Sequence, residues 1–209
     1  MNHLEEENVL NVYNEIAKEF DKTRYNIWES VNNFIKNFEP NSVIGDIGCG
    51  NGKNMLIRKD CDFLGCDFSN GMVEICKKKG LNVIEGNLLN IPFKDNYFDY
   101  TLCIAALHHL STKDHRQKAV NELARITKKN GKILIVVWAL EQPKNLRFKF
   151  NNQDSLIDWK NKKGEILGKR FYHFFKKGEL EELCKDYNII NSYYEEGNWG
   201  IIIHPNGVH

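Results

Sequence analysis

No apolar run in these 209 residues approaches the ~18 that a membrane span requires, so no membrane-embedded segment is expected. The opening Met1-Asn2-His3, followed by Glu5-Glu6-Glu7, has neither the basic start nor the apolar stretch of a secretory leader, and cytosol or nucleus is the expected location. Cysteines stand at 49, 61, 66, 76, 103 and 184, none in C-x-x-C spacing. A chain of this length needs no disulfide staples, so no metal site is expected and the thiols read as buried and free. Internal repeats and low-complexity linkers are also lacking. With 42% hydrophobic and 27% charged residues, the composition is that of one ordinary globular domain over 1–209.

Net charge is nearly absent, at +1, but it is unevenly placed. Between Lys144 and Gly178 ten Lys or Arg face Asp154, Asp158 and Glu165, a local +7 that leaves −6 for the remainder. Such asymmetry fits a basic face for a polyanion, and equally a solvated lysine-rich loop.

What is present is Asp46-Ile47-Gly48-Cys49-Gly50-Asn51-Gly52-Lys53. Val43-Ile44 before it reads as a buried parallel strand, and Asn54-Met55-Leu56-Ile57 after it as the first turn of a helix reaching about Arg58. A strand, a glycine turn and a helix hold a nucleotide-like ligand: glycine backbone turns tightly and approaches the ligand, and a helix start offers unpaired N–H groups. The dinucleotide spacing G-x-G-x-x-G is not met, because Lys53 occupies the third glycine's place. Asp46, at the strand end, would repel a pyrophosphate and attract an ammonium group, which favours an amino-acid-bearing cofactor. The stretch resembles motif I of the Rossmann-like S-adenosylmethionine-dependent methyltransferases.

Either side of it the pattern is α/β. Apolar residues from Val9 to Phe20 make a helical stripe, and Val31 to Phe38 a second helix closed by Pro40, so 1–40 is expected to lie over the ligand mouth as a lid. Strands are expected at 42–47, 63–67, 81–85, 98–104 and 132–137. Helices are expected at 72–79, capped by Ser69 and ended by Gly80, at 115–128 and from Lys177. Asp67, 21 positions after Asp46, falls where a carboxylate accepts from ribose hydroxyls, and Gly86-Asn87-Leu88 where adenine would rest. Ala105 to Leu110, including His108 and His109, follows the central strand, in the crevice where reacting groups gather. Asn130-Gly131 reads as a turn. Residues 139–172 read as a charged insertion or long loop of low local stability. Asn188–Tyr194 and Gly200–His204 read as a closing antiparallel pair.

Five segments together resemble one family more narrowly. They are Val12-Tyr13 through Thr23-Arg24-Tyr25 to Trp28; Asp46–Lys53; Ile104-Ala105 through His108-His109-Leu110-Ser111-Thr112; Val137–Gln142; and Arg170-Phe171-Tyr172-His173 through Gly178–Leu183. The family is that of the eukaryotic tRNA wobble-uridine carboxymethyl methyltransferases. The resemblance implies a class I methyltransferase fold, a mostly parallel seven-stranded sheet with helices on both faces. It implies methyl transfer from S-adenosyl-L-methionine to the carboxylate of 5-carboxymethyluridine in a tRNA anticodon. A small-molecule or protein methyltransferase, or an inactive tRNA-binding module of the same fold, are the alternatives.

The cofactor residues it implies are Tyr13, Arg24, Asp46, Gly48, Cys49, Gly50, Asn51, Gly52, Asp67, Phe68, Asn87, Leu88, Ile104 and Ala105. Arg24, His108 and Arg116 are the candidates for the reacting centre, with His109 packing behind. Tyr25, Trp138, Arg170, Tyr172 and His173 are those for the substrate, although Trp138 and Tyr172 fit core packing equally well. The implied partners are a tRNA anticodon stem-loop and a small zinc-binding activator protein, added to the exposed strand edge at 81–84; neither DNA nor a membrane is expected. Three positions depart from the family pattern: Asn87 replaces an aspartate, Ile157-Asp158-Trp159 a Val-Pro-Trp-like stretch, and His115-Arg116 an Arg-Arg pair.

Overall fold

The amphipathic start is helical. A turn at His3–Glu5 and a π turn at Glu6–Leu10 lead into α1, Asn11–Asp21, which buries Val12, Ile16 and Ala17. This is a computed structural model describing residues 1–143, 150–161 and 163–207. Lys144, Arg147, Lys149 and Lys162 of the basic stretch, and Val208-His209, lie outside the described residues. α2, Glu29–Lys36, buries Val31 and Ile35 before Pro40.

β1 is Val43–Ile47, followed by a single 3-10 turn, Lys53–Leu56, in place of the helix expected to Arg58. Only residues 53–61 separate the glycine turn from β2, Asp62–Asp67, and they must return along five-residue β1. Arg58 instead donates to the Lys36 and Phe38 carbonyls at the end of α2, which draws the chain away from a continued coil. α3, Asn70–Lys78, starts at Ser69, whose Oγ accepts from the Met72 N–H, and is followed by Gly80 at φ +74°. β3 is only Val83–Glu85, and β4 is Phe98–Ile104. α4, Lys113–Ile126, runs directly into β5, Thr127–Trp138. Pairing jumps from Thr127 to Lys132 while β4 advances only from Phe98 to Tyr100, so Asn130-Gly131 belongs to an excursion of the strand.

The 139–172 region is not a loop throughout. β6, Asp154–Lys160, and β7, Ile166–His173, form an antiparallel pair apart from the main sheet. The charges of β6 conceal a two-residue period: Ser155, Ile157 and Trp159 turn inward, while Asp154, Leu156, Asp158 and Lys160 are exposed. β7 packs so closely on α1 that a Cβ at Gly168 would come within 2.8 Å of Val12. α5, Glu179–Leu183, precedes β8, Tyr187–Glu195, which turns through Glu196-Gly197 into β9, Asn198–Gly207.

The main sheet has the order β3-β2-β1-β4-β5-β9-β8. The first five strands pair in parallel, and β9 and β8 add antiparallel. Leu107, Val120, Leu123 and Leu180 fill one face, and Val31 and Ile35 pack on Leu102, Ile104, Leu134 and Val136 on the other. Strand order reverses between β1 and β4, and a crevice opens beyond their C-terminal ends. All six thiols are free; five are buried, and Cys61 is half-buried.

Candidate active site

A cavity of about 360 Å³ occupies that crevice. Its floor is the β1 turn, where Gly48, Gly50 and Gly52 have φ of +73°, +54° and +73°. These are angles that glycine adopts without strain. A Cβ at Gly48 would lie 2.4 Å from Ala106, so only glycine lets the β1 and β4 turns meet. Gly48, Cys49, Gly50 and Asn51 line the cavity, but Gly52 does not: it packs under Leu81, where a Cβ would come within 2.3 Å.

Asp67, at the end of β2, lines the wall with Phe68. Its Oδ2 accepts from the Gly50 N–H at 2.8 Å and its Oδ1 from the Ser69 N–H at 2.9 Å, so acid and glycine turn are one unit. Burial pushes this carboxyl up to about 6. Asn87 and Leu88 follow β3 on the same wall; Asn87 Oδ1 already accepts from the Leu89 N–H at 2.8 Å. Ile104 and Ala105 form the end of β4, and Ala105 sits at φ +57°, a strained angle for a residue with a side chain.

Asp46 is not on the wall. It is fully buried beneath the turn, with Oδ2 within 3.5 Å of Asn54 Nδ2, while its Oδ1 and Asn54 Oδ1 have no partner. Burial, with a further contribution from Asp67, pushes its carboxyl up to about 7 despite the Asn54 contact. The direct ammonium contact expected of Asp46 is therefore not open from the cavity.

Opposite the glycines stand α1, the segment after it and β7. Arg24 and Arg170 both line the cavity and lie over the Trp159 ring, at 5.1 and 4.7 Å from its centroid. Neither guanidinium pairs with a carboxylate of the described residues, and nor does Lys53, which also lines the wall. Burial and then repulsion from Arg170 push Arg24 down; burial and then Arg24 do the same to Lys53. Burial would lower Arg170 too, but Tyr13 and Tyr172 hold it up, so the crowding of these three cations falls on Arg24 and Lys53. In the sequence Trp159 stands out only within Ile157-Asp158-Trp159, a departure from the family pattern, with no role at the site.

The two histidines have fixed protons. His109 Nδ1 faces the Phe171 carbonyl at 2.7 Å and must carry the hydrogen, so Nε2 accepts from the Tyr13 hydroxyl at 2.9 Å. Tyr13 in turn accepts from Arg170 at 3.2 Å. His108 Nδ1 accepts from the Trp138 N–H at 3.1 Å, which leaves the proton on Nε2. Burial pushes His109 down to about 3 and His108 well below the usual histidine range. Both are neutral, and His108, Trp138 and Tyr172 complete the wall, the indole stacked on Tyr172 at 4.8 Å.

Three further candidates lie elsewhere. Arg116 is buried behind the wall, donating to the Leu110 carbonyl at 2.8 Å, because its position on α4 faces the 107–110 turn. His173 faces away between Asp154 and Glu179, with 2.6 Å contacts from its two nitrogens; alternation along β7 sends it to the side opposite Tyr172. Tyr25 is 73% exposed and does not line the cavity. A residue missed in the sequence is Glu5, buried on the cavity wall. It accepts from the Ser111 N–H and hydroxyl and from His115, so the histidine that departs from the family pattern has a partner. Burial alone would raise this carboxyl, but those bonds outweigh it and hold it low.

A parallel sheet with its cavity at the switch point, a left-handed glycine floor and an acid closing the second strand defines a class I methyltransferase domain. The profile of the family described as "Methyltransferase domain" matches residues 45–135. The chain is 38% identical to the Schizosaccharomyces pombe "tRNA (carboxymethyluridine(34)-5-O)-methyltransferase", over 97% of this chain and 98% of that one. It is 32% identical to the Xenopus tropicalis "tRNA (carboxymethyluridine(34)-5-O)-methyltransferase alkbh8" over 96% of its length, but spans only 41% of that relative. Among solved structures, the putative methyltransferase in complex with the Haloferax volcanii Trm112 methyltransferase activator superposes with a TM-score of 0.68. It covers 99% of both chains at 14% identity, a likeness of fold alone. The chain belongs to the tRNA (carboxymethyluridine(34)-5-O)-methyltransferase family.

The cofactor of this class is S-adenosyl-L-methionine, and the residues present fit it. At Gly50 a Cβ would project into the cavity, toward Phe20 at 3.6 Å, so the backbone is bare where a ligand must approach. Asp67 reaches the wall with lone pairs left for two hydroxyls.

Proposed function

We propose that this chain transfers a methyl group from S-adenosyl-L-methionine to the carboxylate of 5-carboxymethyluridine at the tRNA wobble position, giving the methyl ester. The observation that carries this reading is the pair Arg24 and Arg170, two cavity guanidinium groups on one indole with no carboxylate partner among the described residues. Cations crowded in a partly desolvated site call for an anion. A substrate carboxyl near its usual ~4 is ionised at neutral pH and is itself the nucleophile. No base is then required, in keeping with two histidines that burial keeps neutral.

The cofactor's contribution is an electrophilic methyl group on a sulfonium. The chain's own residues position and dry the site. Arg24 and Arg170 fix the carboxylate, and the His108 Nε2–H adds a donor. Tyr13, Phe20 and Trp138 exclude water. The Gly48–Gly50 backbone holds the methionine end, Asp67 the ribose, and Asn87-Leu88 the adenine. Asp46 supports the turn from beneath. Trp138 and Tyr172 offer a face for a splayed base. Residues 1–40 serve as a lid, a role supported by Tyr13, Phe20, Arg24 and Trp28 on the cavity wall. Exposed Lys160, Lys163, Lys169, Lys176 and Lys177 suit an anticodon stem.

A small zinc-binding activator pairs with the edge at 81–84. β3 is one of the two edge strands of the sheet and Ile84 is 39% exposed, and the Haloferax neighbour is seen with an activator. Co-expression with such a protein should raise the soluble yield; an unchanged yield would argue against the pairing. Incubation of labelled cofactor with total tRNA and with tRNA lacking carboxymethyluridine tests the reaction. A base-labile methyl ester on the first alone is expected. Equal label on both, or label only on protein or small molecules, would overturn the proposal.

A further inference from the structure

Resting on that RNA substrate, we infer that a second cavity beside the first takes the unpaired nucleobase adjacent to the reacting nucleotide. It measures about 180 Å³ and adjoins the main cavity at Trp28 and Trp138, two indoles that line both. Phe150, Gln142, Glu196, Gly197 and Asn198 complete it. Near-parallel rings back the walls of both cavities, joined through the fully buried Phe174: Tyr172 on Trp138 at 4.8 Å and 19°, Trp138 and Phe174 at 6.2 Å and 23°, and Phe174 on Phe150 at 3.7 Å and 13°. A tier of parallel aromatic faces continues the stacking of bases along a single strand.

The polar groups of this cavity select the ligand. Gln142 Nε2 donates to the carbonyls of Ala139 at 2.6 Å and Gly197 at 3.0 Å. Asn198 Nδ2 donates to the carbonyls of Glu195 at 3.0 Å and Glu196 at 3.3 Å. Carbonyls only accept, so each amide must turn its NH2 group to the backbone. What these amides leave for a ligand is acceptor oxygen, Gln142 Oε1 and Asn198 Oδ1, beside the indoles of Trp28 and Trp138, whose N–H groups only donate. Gly197, at φ +84°, keeps the amide in place: a Cβ there would lie 2.5 Å from Gln142 Oε1.

A ligand for this cavity is therefore flat, apolar on its faces and a donor at its edge. A nucleobase with imino or amino N–H groups has that chemistry. A phosphate does not, and Glu196 on the wall repels one. An apolar side chain of a protein partner would leave both acceptors unmatched.

The test is steady-state methyl transfer to stem-loop RNAs carrying 5-carboxymethyluridine, intact or abasic at the nucleotide on either side, with the wild-type chain and Phe150→Ala. Removal of one neighbouring base should raise KM about tenfold, the scale of a lost base–aromatic stack, with kcat retained. Phe150→Ala should raise KM similarly on intact RNA and add little on the RNA lacking that base. The abasic RNAs leave the protein untouched, so an unstable variant does not spoil the test. Equal KM for all three RNAs overturns the inference. Absence of methyl ester on every RNA overturns instead the function on which it rests.

Discussion

Asp46 opens the glycine motif, yet its chemistry is that of a buried group. The sequence showed an acid at a strand end, but not whether its carboxyl reached the cavity or was sealed beneath the glycines. Its pKa of about 7 and that of Asp67, about 6, both exceed the unfolded value of ~4, burial being the main cause. A carboxyl raised in this way keeps its proton in the fold where the unfolded chain has lost it. The folded chain then binds more protons across that window, and cofactor-free stability falls as pH rises from ~4 to about 7, flattening above. Asp46→Asn removes the larger contribution and brings a donor to the vicinity of the unpartnered Asn54 Oδ1. Thermal melts should place this variant above wild type at pH 7.5 and closer to it at pH 5. A variant less stable at pH 7.5 would mean that the carboxylate is used as an anion. Arg116 and His173 were misplaced for a related reason: residue type suggested chemistry, but direction along α4 and β7 decided access.

At the scale of elements, the site depends on pieces outside the main sheet. The N-terminal segment is tied down by Glu5, which accepts from Ser111 and His115 across the cavity rim and from the Asn2 N–H within its own turn. Glu5→Ala leaves those donors without their acceptor, at a cost of about 1–3 kcal/mol. Amide exchange over residues 3–21 should quicken and cofactor binding weaken. Unchanged exchange there would show that apolar packing alone holds the segment. The β6–β7 pair illustrates what was illegible. Continuous apolar runs such as Leu102-Cys103-Ile104 mark a strand buried on both faces, and β4 was read to its residue bounds. β6 carries Asp154, Asp158 and Lys160 on its outer side, so its inward Ser155, Ile157 and Trp159 did not stand out as a strand. Without that strand, nothing in the sequence directs the Trp159 indole toward the two arginines.

Across the whole molecule, sequence order alone marked the crevice, because parallel strands joined by crossover segments place their C-terminal ends on one side of the sheet. It did not give the cavity's electrostatics. Arg24 and Arg170 are 146 positions apart, and only the packing of α1 against β7 brings them to one ring. The unpaired pair is the centre of the functional account, and its preference for charge can be measured directly. Calorimetry with S-adenosylhomocysteine present would compare stem-loops carrying 5-carboxymethyluridine and its neutral amide isostere, against wild type and Arg170→Gln. The carboxylate should bind wild type roughly tenfold or more tightly than the amide, as expected of hydrogen bonds to a charged group, and the preference should shrink in the variant. Equal affinity of the two RNAs for wild type would contradict the account.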